Sequence, residues 1–266
     1  MRAGVCKDAG VGTTQQGRVA AGRCLALLVF GRLLHSRLLL VCLSIAGVLL
    51  RVLARVFSPF PDCLMITLIL IAINALVFWL AFNNGRLRDR LIFWPPAVDR
   101  DRQYDRLITY GFVHADVSHL VFNMVTLYFF GRMIEAVMGE LTGSVLTYPL
   151  FYLGALLVSI LPSYIKNQKN PQYLSLGASG AVSAVLFASV LLQPWASIVV
   201  FFIPTPAIFY AVFYVGYSIW MGRRGGDGIN HSAHLSGAAF GVVFMLCMEP
   251  QLLQVFLMQL SMPRFG

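Results

Sequence analysis

Six apolar stretches, each near the length of a bilayer crossing, divide residues 64–248 of this chain, with only short polar pieces between them. They run about Leu64 to Phe82, His119 to Val137, Thr142 to Leu161, Ser179 to Leu192, Pro206 to Met221 and His234 to Met248. Crossing ~30 Å of hydrocarbon takes ~20 helical residues, so the fourth stretch must borrow flanking residues to span. Backbone amides have no water to bond inside a bilayer, which leaves helices as the form such stretches can take. The composition agrees: the chain is 58% hydrophobic and 12% charged, where soluble domains carry roughly 25% charge. The expected fold class is therefore an all-α membrane protein, a single bundle of six transmembrane helices.

The formal charge of +9 would point to nucleic acid in a soluble protein. Here the arginines cluster in the first 60 residues and in the connections between spans, where they serve headgroup anchoring, and no nucleic-acid motif accompanies them. The five cysteines, Cys6, Cys24, Cys42, Cys63 and Cys247, show no CxxC spacing, and an odd, scattered set argues against a disulfide framework or a zinc knuckle. No metal and no cofactor is expected. Residues 1–63 form a basic extension carrying Arg2, Lys7, Arg18, Arg23, Arg32, Arg37, Arg51 and Arg55 against Asp8 and Asp62. That acid-poor pattern suits a targeting segment. The run Leu38 to Leu50 is short for a seventh span. A third reading, an upstream mis-start with translation beginning at Met65, is the one preferred. Residues 64–250 are then the membrane domain and residues 251–266 a short C-terminal tail.

Consecutive spans alternate direction, so the N-terminal ends of the second, fourth and sixth emerge on one face. Those ends hold His119, Asn123, Ser179 and His234. Polar groups in hydrocarbon cost several kcal/mol unless partnered, and their gathering at one depth marks a functional site. His119 and Asn123 lie four apart on one helix face. Gly177, Ala181, Ala184 and Ala188 form a small-residue stripe, and Gly237 and Gly241 a G-x-x-x-G on the face of His234. Such faces let two helix backbones approach closely. Close approach is what brings a serine within the ~2.6–3.2 Å of a histidine that base catalysis requires. Ser179 is then the nucleophile and His234 its base. Ser179 sits beside Gly180 at a helix start, where unpaired N–H groups carry positive potential and can hold an oxyanion, with His119 and Asn123 as further donors. No acid occurs in the fourth or sixth span. Asp227 lies in the Gly-rich loop Gly222 to Gly228, which looks too mobile to orient His234, so a Ser–His dyad is expected rather than a triad.

From Ile66 to Glu249 these residues resemble the rhomboid family of intramembrane serine proteases. His114 with His119-x-x-x-Asn123 is similar to the family's H-x-x-x-x-H-x-x-x-N. Gly131-Arg132 with Glu135 resembles its G-x-x-x-E at the end of that helix, Gly177-Ala178-Ser179-Gly180 its G-x-S-G, and Ala233-His234 through Gly237 and Gly241 its A-H-x-x-G-x-x-x-G. The order of these weak motifs on spans two, four and six makes them specific together. The resemblance implies a rhomboid-like six-helix bundle with a water-filled cavity, Ser179 as nucleophile, His234 as base, and an oxyanion hole of the Ser179 N–H, His119 and Asn123. The connection Asn83 to Asp116 would be the partly embedded first loop, with Leu91 to Pro96 lying in the interface and Arg106 as a structural arginine. Three positions depart from the family: Asp105 replaces a tryptophan, Ser236 a glycine, and Ser183 the aromatic that often stacks on the histidine. What orients the imidazole is therefore open, with a tyrosine or phenylalanine from elsewhere as the substitute.

The expected activity is endoproteolysis of single-span transmembrane proteins, with those substrates and membrane lipid as partners. The alternative is a catalytically inactive rhomboid-like protein that binds transmembrane helices; such proteins usually lack the serine or the histidine, and both are here. A metalloprotease or metal transporter using His114, His119, His231 and His234 lacks an H-E-x-x-H and any adjacent carboxylate. A small-molecule transporter would show paired broken helices, and none is evident. The expected location is a bacterial cytoplasmic membrane, or else an organellar inner membrane. With Met65 as start, the loop arginines turn the site toward the cytoplasm by the positive-inside rule, whereas resemblance to bacterial members turns it outward.

Overall fold

The computed structural model describes residues 66–263 except Phe201. The N-terminal extension, its targeting or mis-start reading and the choice of Met65 fall outside the described residues.

Among the described residues, four helices are long and apolar enough to cross a membrane. They are α1 (Ile66–Asn83), the continuous helix Val117–Thr142, α7 (Thr147–Asn167) and α10 (His231–Met248). The second of these consists of α5 (Val117–Thr126), a π-helical turn at Leu127–Gly131 and α6 (Arg132–Thr142). Two more helices complete the main set: α8 (Ser179–Leu192) and α9 (Ala207–Arg224). The expected apolar stretches thus become helices, several extended at one end by polar residues that hydropathy alone excludes. Short helices α2 (Gly85–Leu91), α3 (Pro95–Arg100) and α4 (Arg106–Thr109) build the first connection.

Twelve of the fourteen residues of α8 are buried, so it is the central helix and its neighbours shield it. The contact that sets its position is backbone on backbone. A Cβ placed on Gly237 of α10 would overlap the Gly180 carbonyl of α8, and one on Gly241 would overlap that of Ala184. The glycine pair expected to pack does so, but its counterpart on α8 is Gly180 and Ala184. Gly177 of the expected stripe lies ahead of the helix. On the other side Gly180 abuts Ser159 of α7. Ser159 precedes the end of α7 by eight residues, or about 12 Å of helix at 1.5 Å per residue. The start of α8 is therefore well inside the bundle.

Glu135 is not at the end of its helix, which continues to Thr142. Its carboxylate instead accepts from the amides of Ile66 and Thr67 at 2.6 and 2.9 Å and from the Thr67 hydroxyl at 2.7 Å. This satisfies orphan donors in the first turn of α1 with an anion, the sign the helix dipole favours there.

Two elements were not expected. An antiparallel hairpin of β1 (Ser197–Val200) and β2 (Ile203–Pro206) joins α8 to α9, so the fold is mostly helical rather than all-α. Within the segment set apart as a tail, Leu252–Ser261 forms α11, whose Leu252 and Val255 are buried. Within the stretch Leu91 to Pro96, Phe93 is fully buried and pairs with Ser175 through two backbone hydrogen bonds, of 2.9 and 3.1 Å. Edge-on contacts from Tyr110, Tyr164 and Tyr173 surround its ring.

Candidate active site

Ser179 is the first residue of α8, and the chain reaches it through Gly177 at φ +116°, a region L-residues avoid. The space is equally exclusive. A Cβ on Gly177 would stand 2.7 Å from His119 Cε1 and 2.9 Å from Nε2, and 3.8 Å from Ser179 Oγ. Gly177 therefore lets the His119 ring and the serine face one small volume. Its own N–H donates to the Tyr110 carbonyl at 3.0 Å, which fastens the turn to the first connection.

His234 lies in the first turn of α10, and its Nε2 is 2.7 Å from Ser179 Oγ. In the tautomer with the proton on Nδ1, the serine hydroxyl donates to Nε2, the arrangement in which a base removes a serine proton. Close contact of α8 and α10 at Gly180 and Gly237 is what allows so short a side chain to reach. Tyr214 of α9 stacks on the imidazole, with centroids 6.0 Å apart and planes 25° apart. The Tyr214 hydroxyl in turn bonds Ser183 Oγ at 2.7 Å. The aromatic missing at Ser183 is thus replaced from another helix, and the small serine there both makes room and supplies the hydrogen bond. Sequence reading foresaw the type of residue but had no signal for which one.

His119 and Asn123 stand on one face of α5, as their spacing predicts. Asp116 caps this helix by accepting from the His119 amide at 2.8 Å, and Asn123 donates from its Nδ2 to the His119 carbonyl at 3.0 Å. The Asn123 amide thus has one hydrogen committed to its own helix and a second to offer. His114 is buried, its ring edge-on to His119 at 5.0 Å, and neither of its nitrogens has a partner among the described residues. Burial, reinforced by His119, pulls its pKa down to about 4. Arg106 is also buried and holds the first connection together, donating from one Nη to the carbonyls of Asp89 and Ile92 at 2.8 and 2.6 Å. Beside it Asp105, the residue in place of tryptophan, pairs with Arg90 at 2.7 Å. That hydrogen bond holds the Asp105 carboxyl below its ordinary value.

Ser236, where a glycine was expected, has its hydroxyl 2.9 and 2.7 Å from the carbonyl oxygens of Ser159 and Ser232, which share its one hydrogen, and so links α10 to α7. Asn230 was missed entirely by sequence reading. Its Oδ1 caps α10 by accepting from Ala233 N at 3.1 Å and from Ser163 Oγ of α7 at 2.8 Å. Its Nδ2 donates to Ser175 Oγ at 3.1 Å. One side chain joins α10, α7 and the strand-like segment ahead of the serine. An N-cap signal, Asn before the A-H motif, could have found it. Among the described residues no cluster of metal-ligating side chains exists.

Residues 101–251 match the Rhomboid domain. The chain belongs to the rhomboid family. RHOMBOID-like protein 12, mitochondrial, of Arabidopsis thaliana is 33% identical over 194 residues, 65% of this chain and 55% of the relative. Rhomboid-like protein 11, chloroplastic, of the same plant is 33% identical over 158 residues, 53% of this chain and 51% of the relative. The chain therefore spans about half the length of these plant relatives. Rhomboid protease GlpG of Haemophilus influenzae is 28% identical over 182 residues, 67% of this chain and 88% of the relative. This rhomboid is a multi-pass membrane protein whose relatives are mitochondrial, chloroplastic and bacterial.

Proposed function

We propose that this rhomboid is an intramembrane serine endopeptidase that cuts single-span transmembrane proteins with a Ser179–His234 dyad. The observation that carries the reading is the 2.7 Å contact of Ser179 Oγ with His234 Nε2, made at a helix start inside an apolar bundle. In this reading α1, the helix Val117–Thr142, α7, α8, α9 and α10 are six spans. The start of α8, about 12 Å in from the end of α7, then lies below the membrane surface.

The chemistry follows from the atoms present. Ser179 Oγ attacks the scissile carbonyl carbon as its proton passes to His234 Nε2. The new oxyanion is held by the Ser179 N–H, with His119 and Asn123 as side-chain donors. Collapse of the tetrahedral species breaks the C–N bond, and the imidazolium returns its proton to the leaving amine. Water then repeats the sequence on the acyl-enzyme and frees the serine. A helical substrate hides its carbonyls in i→i−4 bonds, so segments weakened by Gly, Pro or β-branched residues are preferred.

The test is a panel of single-span test proteins incubated with the wild type, Ser179→Ala, His234→Ala and the double variant. Each single variant loses cleavage while remaining folded, and the double loses little more, because the pair acts as one unit. Wild-type turnover by Ser179→Ala would end the serine mechanism. A wild type that binds such helices without cutting any of them would favour an inactive helix-binding protein.

A further inference from the structure

A second histidine stands beside the proposed base, and the mechanism above does not use it. His231 opens α10 one turn ahead of His234, and its side chain is 4% exposed. Its Nε2 is 2.8 Å from Asp227 Oδ2. The other oxygen, Asp227 Oδ1, accepts from the Ile229 amide at 3.0 Å, so both oxygens of the carboxylate are occupied and its orientation is set. The Gly-rich loop expected to leave Asp227 mobile is thus fastened through Asp227 itself, to His231 rather than to His234. The His231 ring meets His234 edge-on, with centroids 6.0 Å apart and planes at 76°, and meets Tyr217 of α9 likewise at 5.8 Å and 75°. Gly222, in the last turn of α9, faces this residue: a Cβ there would lie 3.4 Å from His231 Cβ.

The proton arrangement has a direct consequence. Asp227 can only accept, so a neutral His231 carries its proton on Nε2 and a lone pair on Nδ1. That Nδ1 is buried and has no partner among the described residues. A buried acceptor without a donor destabilises the fold. Its neighbour is the ring that becomes positively charged when it takes the serine proton.

We propose that Asp227 and His231 are a positioning pair for His234. Asp227 fixes the tautomer and orientation of His231, and His231 closes one edge of the space in which the base ring turns, while Tyr214 covers its face. The pair also sets the electrostatics. A His231 bonded to a carboxylate keeps a fixed ring edge and a nearby negative charge beside the nascent imidazolium. A His231 released from Asp227 is free to turn away from the base ring. The other titratable or charged groups around this end of the bundle are His119 on α5, Tyr214, Tyr217, Arg223 and Arg224 on α9. Of these Arg224 is directed to Trp220, over whose ring it lies at 5.4 Å.

The proposal rests on the dyad reading, and its test separates the two. Asp227→Asn, Asp227→Glu, His231→Gln and His231→Leu are compared with the wild type on a single-span substrate, and thermal unfolding in detergent is recorded for each. Asp227→Asn is expected to lower kcat about tenfold with KM within about twofold, the scale of losing a hydrogen bond that orients a functional histidine. Asp227→Glu restores most of that loss, His231→Gln keeps a donor for Asp227 and falls between, and His231→Leu is at least as impaired as Asp227→Asn. Imidazole 15N shifts of His234, measured without substrate, change in Asp227→Asn and return in Asp227→Glu. An unchanged kcat together with unchanged shifts overturns the pair. So does a loss that tracks the unfolding temperature and is not restored by glutamate. A wild type that cuts no substrate, with shifts that still respond to Asp227, overturns the protease reading alone.

Discussion

Gly237→Ala tests whether helix contact sets the distance between nucleophile and base. The added methyl has no free space, because it would overlap the Gly180 carbonyl, a backbone group one residue beyond Ser179. A flexible side chain could swing away, but a helix backbone cannot, so α8 and α10 must part or shift by on the order of 1 Å, and overpacking of this kind costs about 1–3 kcal/mol in stability. The dyad contact is 2.7 Å, and base catalysis works over ~2.6–3.2 Å. A shift of that size carries the pair outside the range, and misplacement by 1 Å can cost about a hundredfold in rate. We therefore expect kcat to fall roughly a hundredfold in a folded protein, with labelling of Ser179 by a fluorophosphonate slowed in parallel. Gly216→Ala on α9 is the control, since a Cβ there meets nothing within 4 Å and helix propensity favours alanine by about 0.8–1 kcal/mol. Wild-type kcat in Gly237→Ala would refute the claim that backbone contact sets the reactive distance.

Three further outcomes follow from the site. Asn123→Ala should lower kcat by about a hundred- to a thousandfold if it holds the oxyanion, and weakened binding at unchanged kcat would move it to substrate recognition. Tyr214→Phe keeps the stack on His234 and loses about 1 kcal/mol with the Ser183 hydrogen bond, whereas Tyr214→Ala should lower kcat well beyond Tyr214→Phe; equal activity in the two variants would show that the stack does not orient the base. Stability should depend on pH through His114: its pKa, held at about 4 in the folded protein and near 6.5 when unfolded, makes the unfolded state bind more protons in between. The stabilisation is complete above about pH 6.5 and is lost as the pH falls toward 4, by roughly 3 kcal/mol in all. Unfolding temperatures in detergent at pH 7 and pH 4.5 measure it, and His114→Phe should flatten the dependence; an equal slope in that variant would assign it to other groups.

Much of this site was legible before any fold was known, for a physical reason. Hydrocarbon allows few polar residues, so Ser179, His119, Asn123 and His234 stand out against apolar spans. Their depth could be counted from the span ends, because a helix has a constant rise. The glycines of α10 announced close packing, although not that their seat would be Gly180 and Ala184. The aromatic over the base was different. Tyr214 lies 35 residues beyond the serine on another helix, in a span with tyrosines at 210, 214 and 217, and the rotation of α9 against α10 alone selects one of them. Asn230 likewise looks like any loop asparagine until α7 and Ser175 meet it.

The sequence by itself determined that this chain crosses a membrane, roughly where its helices begin and end, and which residues match the family's motifs. These are properties of single segments in their solvent. Only the tertiary structure decided that Phe93 is buried against Ser175, that Asp227 belongs to His231, and that Ser179 and His234 stand 2.7 Å apart. Each of those depends on a contact between segments far apart in the chain, and its distance is set by how closely backbones can pack.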